Sequence, residues 1–297
     1  MPLNHSAIHI PVLQNEVLEW LQPKSDGLYV DGTLGLGGHT QAILEKTAPG
    51  GRVIGFEWDE DAAVKAGERL SGYADRLQIV RASYAALLPE LEQLSVASVD
   101  GLIADLGVSS LQLDQAERGF SFRADNVLDM RMDRRGPRTA AMLVAQLSEE
   151  QLADIFYHYG EERQARRIAR FLVEARFDEP IVTTGRLAAI VAAAVPRKYH
   201  PPKVHVATKV FQALRIAVNG ELDNLTKLLT VAPEVLAKGA RVCIITFHSL
   251  EDRMVKQAFL QNPAYAVLTK RPIKPTPAEM QENPRARSAK LRVAMRV

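Results

Sequence analysis

The 297-residue chain has a single cysteine, Cys243, which excludes an internal disulfide and any zinc site built from clustered thiolates. Its seven histidines show no His-Glu-x-x-His or comparable spacing, so no metal site is expected. Long apolar runs are missing too. The most apolar window, 181–195, contains Thr183, Thr184 and Arg186 and falls short of the roughly 20 residues a membrane span needs. The first twenty residues mix His, Asn, Gln and Glu with apolar side chains, unlike a signal peptide. These absences lead us to expect a soluble, cytoplasmic protein without metal. Net charge is only +2, but from Arg253 onward ten Lys or Arg stand against two Glu. Such a tail suits a solvated face and a phosphate-docking face equally well.

Glycine, by contrast, is concentrated in one place. Leu28 to Thr40 reads LYVDGTLGLGGHT, a short apolar run ending in Asp31 and breaking into a loop with Gly32, Gly35, Gly37 and Gly38. The pattern predicts a strand, a tight turn and a helix start whose amides face a nucleotide-like ligand. A dinucleotide fingerprint beginning at Gly35 would need glycine where Thr40 stands. Asp31 at the strand tip would repel a pyrophosphate but suits the ammonium and hydroxyl groups of S-adenosylmethionine. A second strand over 52–56 ends at Glu57, 22 residues after Gly35, where an acid commonly takes ribose hydroxyls.

The rest of the chain continues the alternation and then breaks it. A short helix is expected over 12–21, helices over 61–70 and 84–94, and strands over 77–80 and 99–104, the last ending at Asp105. Strands alternating with helices predict an α/β fold with a parallel doubly wound sheet, whose ligand lies at the carboxyl ends of the strands. Asp31, Glu57, Ser83 or Tyr84, and Asp105 would converge there. From about 113 to 218 only helical spacing appears, including a capping box at Ser148 and Gln151 and a helix capped by Thr184. We therefore expect residues 1–112 with 219–297 to form one domain and 113–218 an inserted all-helical domain. Within it, Phe120, Phe122, Arg123 and Arg131 combine aromatic faces with cations, as single-stranded nucleic acid requires. A helix over 222–236 and a strand over 241–247 bring the chain to His248, Ser249 and Asp252. No Gly-x-Ser-x-Gly elbow surrounds Ser249, so a hydrolase triad does not follow.

Six separated segments together resemble one family: DGTLGLGGH from Asp31, DLGVSSLQLD from Asp105, GFSFRADNVLDMRMD from Gly119, FQALRIAVNGEL from Phe211, FHSLEDR from Phe247 and RSAKLR from Arg287. They are similar to the bacterial S-adenosylmethionine-dependent methyltransferases that modify the N4 amine of a cytosine in the decoding region of small-subunit (16S) ribosomal RNA. The resemblance implies a Rossmann-like methyltransferase sheet with a helical insertion that helps bind RNA. It implies that Gly37, Gly38, His39, Glu57, Tyr84, Asp105 and Gln112 hold the cofactor, Glu57 taking the ribose where the family usually has Asp; Asp31 and Gly35 join them from the reading of the loop itself. Asp105 is expected to be the catalytic acceptor for the amine. Phe120, Phe122, Arg123, Arg131, Arg253, Lys290 and Arg292 are the candidate RNA contacts. The partner implied is small-subunit ribosomal RNA within the assembled subunit, with monomer and homodimer both open. A nicotinamide-dependent oxidoreductase and a non-catalytic ribosome-assembly factor remain alternatives at this point.

Overall fold

A computed structural model describes residues 11–297; the absence of a signal pattern in the first ten residues lies outside that range. By contacts the chain divides into two units, one running up to Gly107 and resuming at Asp223–Val297, the other Val108–Leu222. The expectation from sequence placed these boundaries at 113 and 218.

The first unit is built on seven strands: β1 (Leu28–Asp31), β2 (Arg52–Phe56), β3 (Leu77–Val80), β4 (Val99–Asp105), β5 (Leu236–Thr246), β6 (Tyr265–Val267) and β7 (Lys290–Arg296). Their order is β3-β2-β1-β4-β5-β7-β6. The first five are parallel, and β7 runs antiparallel to both β5 and β6. The chain winds outward from β1 to β3, then returns to β4 on the other side, so the switch point lies between β1 and β4.

Both faces of this sheet are covered, which is why its central strands are apolar at almost every position. Val30, Ile54, Leu102, Ala104, Val242 and Ile244 face one core, closed by Leu225 and Leu228 of the helix Glu221–Val235 and by Val255 and Phe259 of the helix Ser249–Gln261. Tyr29, Val53, Ile103, Cys243, Ile245 and Val293 face the other, against Val17, Leu21, Ile43 and Leu44. Each fully buried aliphatic side chain of this size contributes roughly 1.5–3 kcal/mol, so the sheet is the rigid element on which loops can be placed.

Two features differ from the sequence expectation. Strand β5, expected over 241–247, begins five residues early, because residues around Gly239 (φ +84) form an irregularity in which Leu236 pairs with Val99 but Arg241 with Gly101. Strands β6 and β7 were not expected at all: β7 lies in the basic tail, whose charge masks the alternation of Leu291 and Val293 with Lys290 and Arg292.

The second unit is helical, with principal helices Ala140–Gln146, Glu149–His158, Ala165–Asp178, Thr184–Ala194 and Thr208–Asn219. Ser148 and Gln151 form the expected capping box at 3.2 and 3.0 Å. The cap of Thr184–Ala194 is Thr183, whose Oγ1 accepts the Arg186 N–H at 3.2 Å; Thr184 is buried and accepts from Asn126 instead. The segment after Gly119 (φ +73) is held by side chains within its own unit. Buried Arg118 donates to the carbonyls of Arg131 and Met132, and Asn219 binds Met130 O and Met132 N.

Candidate active site

Three acids stand at the carboxyl ends of the neighbouring strands β2, β1 and β4, around the switch point, and backbone or hydroxyl donors hold the carboxylates of two of them, Asp31 and Glu57. Asp31, buried at the tip of β1, accepts the Thr33 N–H at 3.1 Å and the Thr40 hydroxyl at 2.7 Å. The position where a dinucleotide fold would need glycine thus carries the hydroxyl that fixes Asp31. Glu57, just past β2, accepts from Gly35 N through Oε2 at 2.8 Å and from Asp59 N through Oε1 at 2.9 Å. Its extra methylene relative to Asp is what spans from β2 to the glycine loop. Asp105, the last residue of β4, has its own N–H donated to Thr33 Oγ1 at 2.6 Å. Thr33 and Thr40 were not singled out by sequence reasoning; the Asp-Gly-Thr run of an Asx turn is the signal that would have found Thr33.

The environment of these acids is short of positive charge. Burial, partly offset by the Thr40 and Thr33 hydrogen bonds, pushes Asp31 up to about 6. Burial, opposed by the amides of Asp59 and Gly35 and reinforced by the charges of Asp59 and Asp31, pushes Glu57 up to about 7. Asp105 is raised well above the usual carboxylate range by burial first, then by Asp31 and Glu251. Its side chain keeps 22% of its surface exposed, while Oδ1 is buried with no hydrogen-bond partner among the described residues and Oδ2 lies 3.8 Å from His39 Nε2. A cluster of buried acids at the strand ends is complementary to a cation and repels a pyrophosphate. That is the fit expected of S-adenosylmethionine, with its sulfonium and ammonium, and it argues against a nicotinamide dinucleotide.

The glycines divide by role. A Cβ on Gly35 (φ +53) would meet only Thr33 O, at 3.8 Å, so its open side is where a ligand can pass the backbone. Gly37 (φ +77) and Gly38 are close-packed as well: added Cβ atoms would lie 2.5 Å from Leu70 Cδ1 and 2.3 Å from Pro11 Cγ. Gly32 is the close neighbour of Tyr84, whose Cβ would lie 3.3 Å from a Cβ there. Asp31, Gly35, His39, Glu57, Tyr84 and Asp105 are thereby gathered at one end of the sheet. Gln112 belongs to the helical unit, where it is buried and its side-chain oxygen accepts the Ser109 N–H at 3.1 Å.

His248 and Ser249 are not a hydrolytic pair. His248 caps the helix Ser249–Gln261, its Nδ1 accepting the Glu251 N–H at 3.4 Å, while buried Glu251 Oε2 accepts the N–H groups of Phe247 and His248. Glu251 is a further residue sequence reasoning passed over; its spacing to His248 is that of a capping box. Cys243 is fully buried in β5 and its thiol is pushed by burial up to about 12, so it is no thiolate nucleophile.

The expected RNA contacts are more scattered. Arg292 is 6% exposed and its Nε donates to Asp252 at 2.6 Å, which makes it a buried structural partner rather than a phosphate contact. Phe120 is buried, and Phe122 packs between His205 (4.8 Å) and Phe211 (4.7 Å) in the helical unit, which removes both from the set of free stacking platforms. Arg131 is spent on Asp129 and on the carbonyls of Arg134 and Gly136. Arg123 and Arg253 are exposed, and Lys290 is half-buried beside Asp252.

A doubly wound sheet whose β7 is antiparallel, with an acid-lined glycine loop at its switch point, defines a Rossmann-like S-adenosylmethionine-dependent methyltransferase. The chain belongs to the MraW methylase family, whose model matches residues 6–297. It is similar to proteins named ribosomal RNA small subunit methyltransferase H. That of Desulfotalea psychrophila is 57% identical over 98% of each chain, and that of Geotalea uraniireducens 45% identical over 97% of this chain and 98% of its own. The Sorangium cellulosum protein of that name is 50% identical over 97% and 91%. Among solved structures, an rRNA methylase from Streptococcus thermophilus superposes over 96% of this chain and 93% of its own at 10% identity, with a TM-score of 0.44. Among the described residues, no helix is long and apolar enough to cross a membrane, and no group of three or more His, Cys, Asp or Glu could hold a metal ion.

Proposed function

We propose that this chain methylates the N4 amine of a cytosine in the decoding region of small-subunit ribosomal RNA, acting in the cytoplasm on RNA within the assembled subunit. Asp105 carries the reading. It is an acid at the switch point with one buried, unpartnered oxygen, set among carboxylates that favour a cationic methyl donor.

The residues divide the work between holding the donor and preparing the amine. Asp31 and Glu57 would face the cationic and hydroxyl groups of the donor, Gly35 would let it pass the backbone, and Tyr84 would hold its adenine. When bound, S-adenosylmethionine supplies the methyl electrophile and keeps the carbon–sulfur electron pair as the methyl leaves. A cytosine amine is a poor nucleophile because its lone pair is delocalised into the ring. The Asp105 carboxylate accepts one N4–H, which lets the nitrogen pyramidalise; as the N–C bond forms, Asp105 takes the surplus proton and later releases it to water. The rate comes mainly from holding donor and amine in line, an effect that can supply several kcal/mol. The helical unit supplies RNA recognition, with Arg123 among its contacts.

The reading is tested by incubating the purified chain with methyl-labelled S-adenosylmethionine and small subunits lacking the modification. Label in the RNA of small subunits supports it. Failure to transfer label, with cofactor binding intact, would favour a ribosome-assembly factor that has lost catalysis.

A further inference from the structure

We infer that the edge of the sheet beyond β7 is a phosphate-binding ridge, formed by Lys270, Arg271 and Lys274, that grips the backbone of the RNA strand a few nucleotides from the target base. The inference rests on the functional reading above and adds the surface that would hold the substrate.

The ridge follows from register. Asp105 pairs with Ile245 and Ile245 with Leu291, and Leu291 forms an isolated antiparallel bridge with Ile273, each N–H donating to the other's carbonyl at 2.9 Å. Asp105 and Ile273 therefore stand in one row of the sheet, separated by three strand spacings or about 14 Å. Continued by one residue, the antiparallel register of this bridge brings Lys274 towards Lys290. Like charges facing each other across strands are destabilising unless an anion lies between them. Asp252 is the nearby acid that answers Lys290, but it also binds Arg292, with Nζ at 3.1 Å and Nε at 2.6 Å. One carboxylate already serves two cations there, and Lys274 makes no ion pair among the described residues.

The neighbours add to the surplus. Leu268 to Thr276 reads LTKRPIKPT, with three cations and no acid. Lys270, Arg271 and Lys274 are all exposed, and among the described residues none makes an ion pair or a side-chain hydrogen bond. The backbone that carries them is fixed, since Val293 N donates to Thr269 Oγ1 at 2.9 Å and Thr269 is buried. Unpaired cations on a fixed edge, in line with the acceptor of the methylated amine, fit the spaced negative charges of a single RNA strand.

The test compares Arg271→Gln with Lys274→Gln, made together, against a control pair, Arg52→Gln with Lys238→Gln. The control removes the same charge at exposed positions near the amino ends of β2 and β5. Binding of a short single-stranded RNA spanning the decoding region is followed by fluorescence anisotropy across a salt series. Losing two phosphate contacts should reduce the slope of log K against log[salt] by about 1.4 and weaken binding roughly fifty-fold at about 0.05 M salt. Affinity for S-adenosylmethionine should not move. A slope equal to that of the unaltered chain, or an equal fall in the control pair, would overturn the ridge while leaving the functional reading intact. An unaltered chain that neither binds this RNA nor methylates small subunits would overturn the functional reading and the ridge with it.

Discussion

Thr33 Oγ1 accepts the backbone N–H of Asp105 at 2.6 Å while its own N–H donates to Asp31 Oδ1 at 3.1 Å, so one threonine ties the tips of β1 and β4 together across the switch point. Thr33→Val keeps the shape and removes the acceptor, leaving the Asp105 N–H unsatisfied at a cost of about 1–3 kcal/mol. Denaturant unfolding should register that loss. Turnover should fall more than cofactor affinity, and Thr33→Ser should restore both; a Ser variant no better than Val would remove the hydrogen bond from the account.

The glycine loop separates two kinds of substitution. Gly35→Ala places a methyl in open space at the strain of a left-handed residue, roughly 1–2 kcal/mol. It should weaken S-adenosylmethionine binding while the chain remains folded. Gly37→Val drives a side chain into Leu70 and should unfold at markedly lower denaturant. Thermal melts with and without cofactor distinguish them, and a Gly37→Val variant as stable as the parent would contradict the packing role.

Acidity should govern cofactor binding. Asp31 and Glu57 titrate near 6 and 7 in the unliganded protein, above the value near 4 of an unfolded carboxyl, so the folded state holds more protons across that window. Their contribution to the stability of the unliganded chain therefore falls as pH rises from about 4 to 7. A cationic ligand prefers the ionised acids, so affinity for S-adenosylmethionine should rise from pH 5 to about 8 and level off above that, with protons released on binding near pH 6.5. Calorimetry in buffers of different ionisation enthalpy measures that release. A flat affinity profile would remove these acids from the binding site.

Cys243 bears on the chemistry of the ring. Methylation at carbon 5 of cytosine uses a thiolate added to the ring, and the only thiol here is buried between Val242 and Ile244. Cys243→Ala should retain methyl transfer near the parental rate and lose about 1 kcal/mol of stability to a small cavity. A folded but inactive Cys243→Ala would contradict the mechanism.

Much of this was legible in the sequence, and what was not has physical causes. The strand, loop and helix around Asp31 follow from apolar runs broken by glycine, and the alternation through Asp105 follows from period and length. The tail hid β6 and β7 because β7 pairs its charged residues with a single acid, Asp252, which lies 38 positions from Lys290 and cannot be paired with it by reading along the chain. Arg292 for the same reason read as a surface cation. That a side chain at Gly37 or Gly38 would also run into Leu70 or Pro11 could not be read from the sequence, because the fold brings those side chains in from 33 and 27 positions away. Phe122 likewise carried no sign of its packing on Phe211, 89 residues away.

The central claim is that Asp105 draws on the N4 amine of a cytosine. It is tested most directly by mass spectrometry of nucleosides from small-subunit RNA after reaction with the parent chain and with Asp105→Asn. The account predicts a methyl on N4 of cytosine with the parent, and with the variant a loss of turnover of at least about a hundredfold at nearly unchanged affinity for S-adenosylmethionine. A methyl on carbon 5, or an Asp105→Asn variant that methylates N4 at the parental rate, would contradict it.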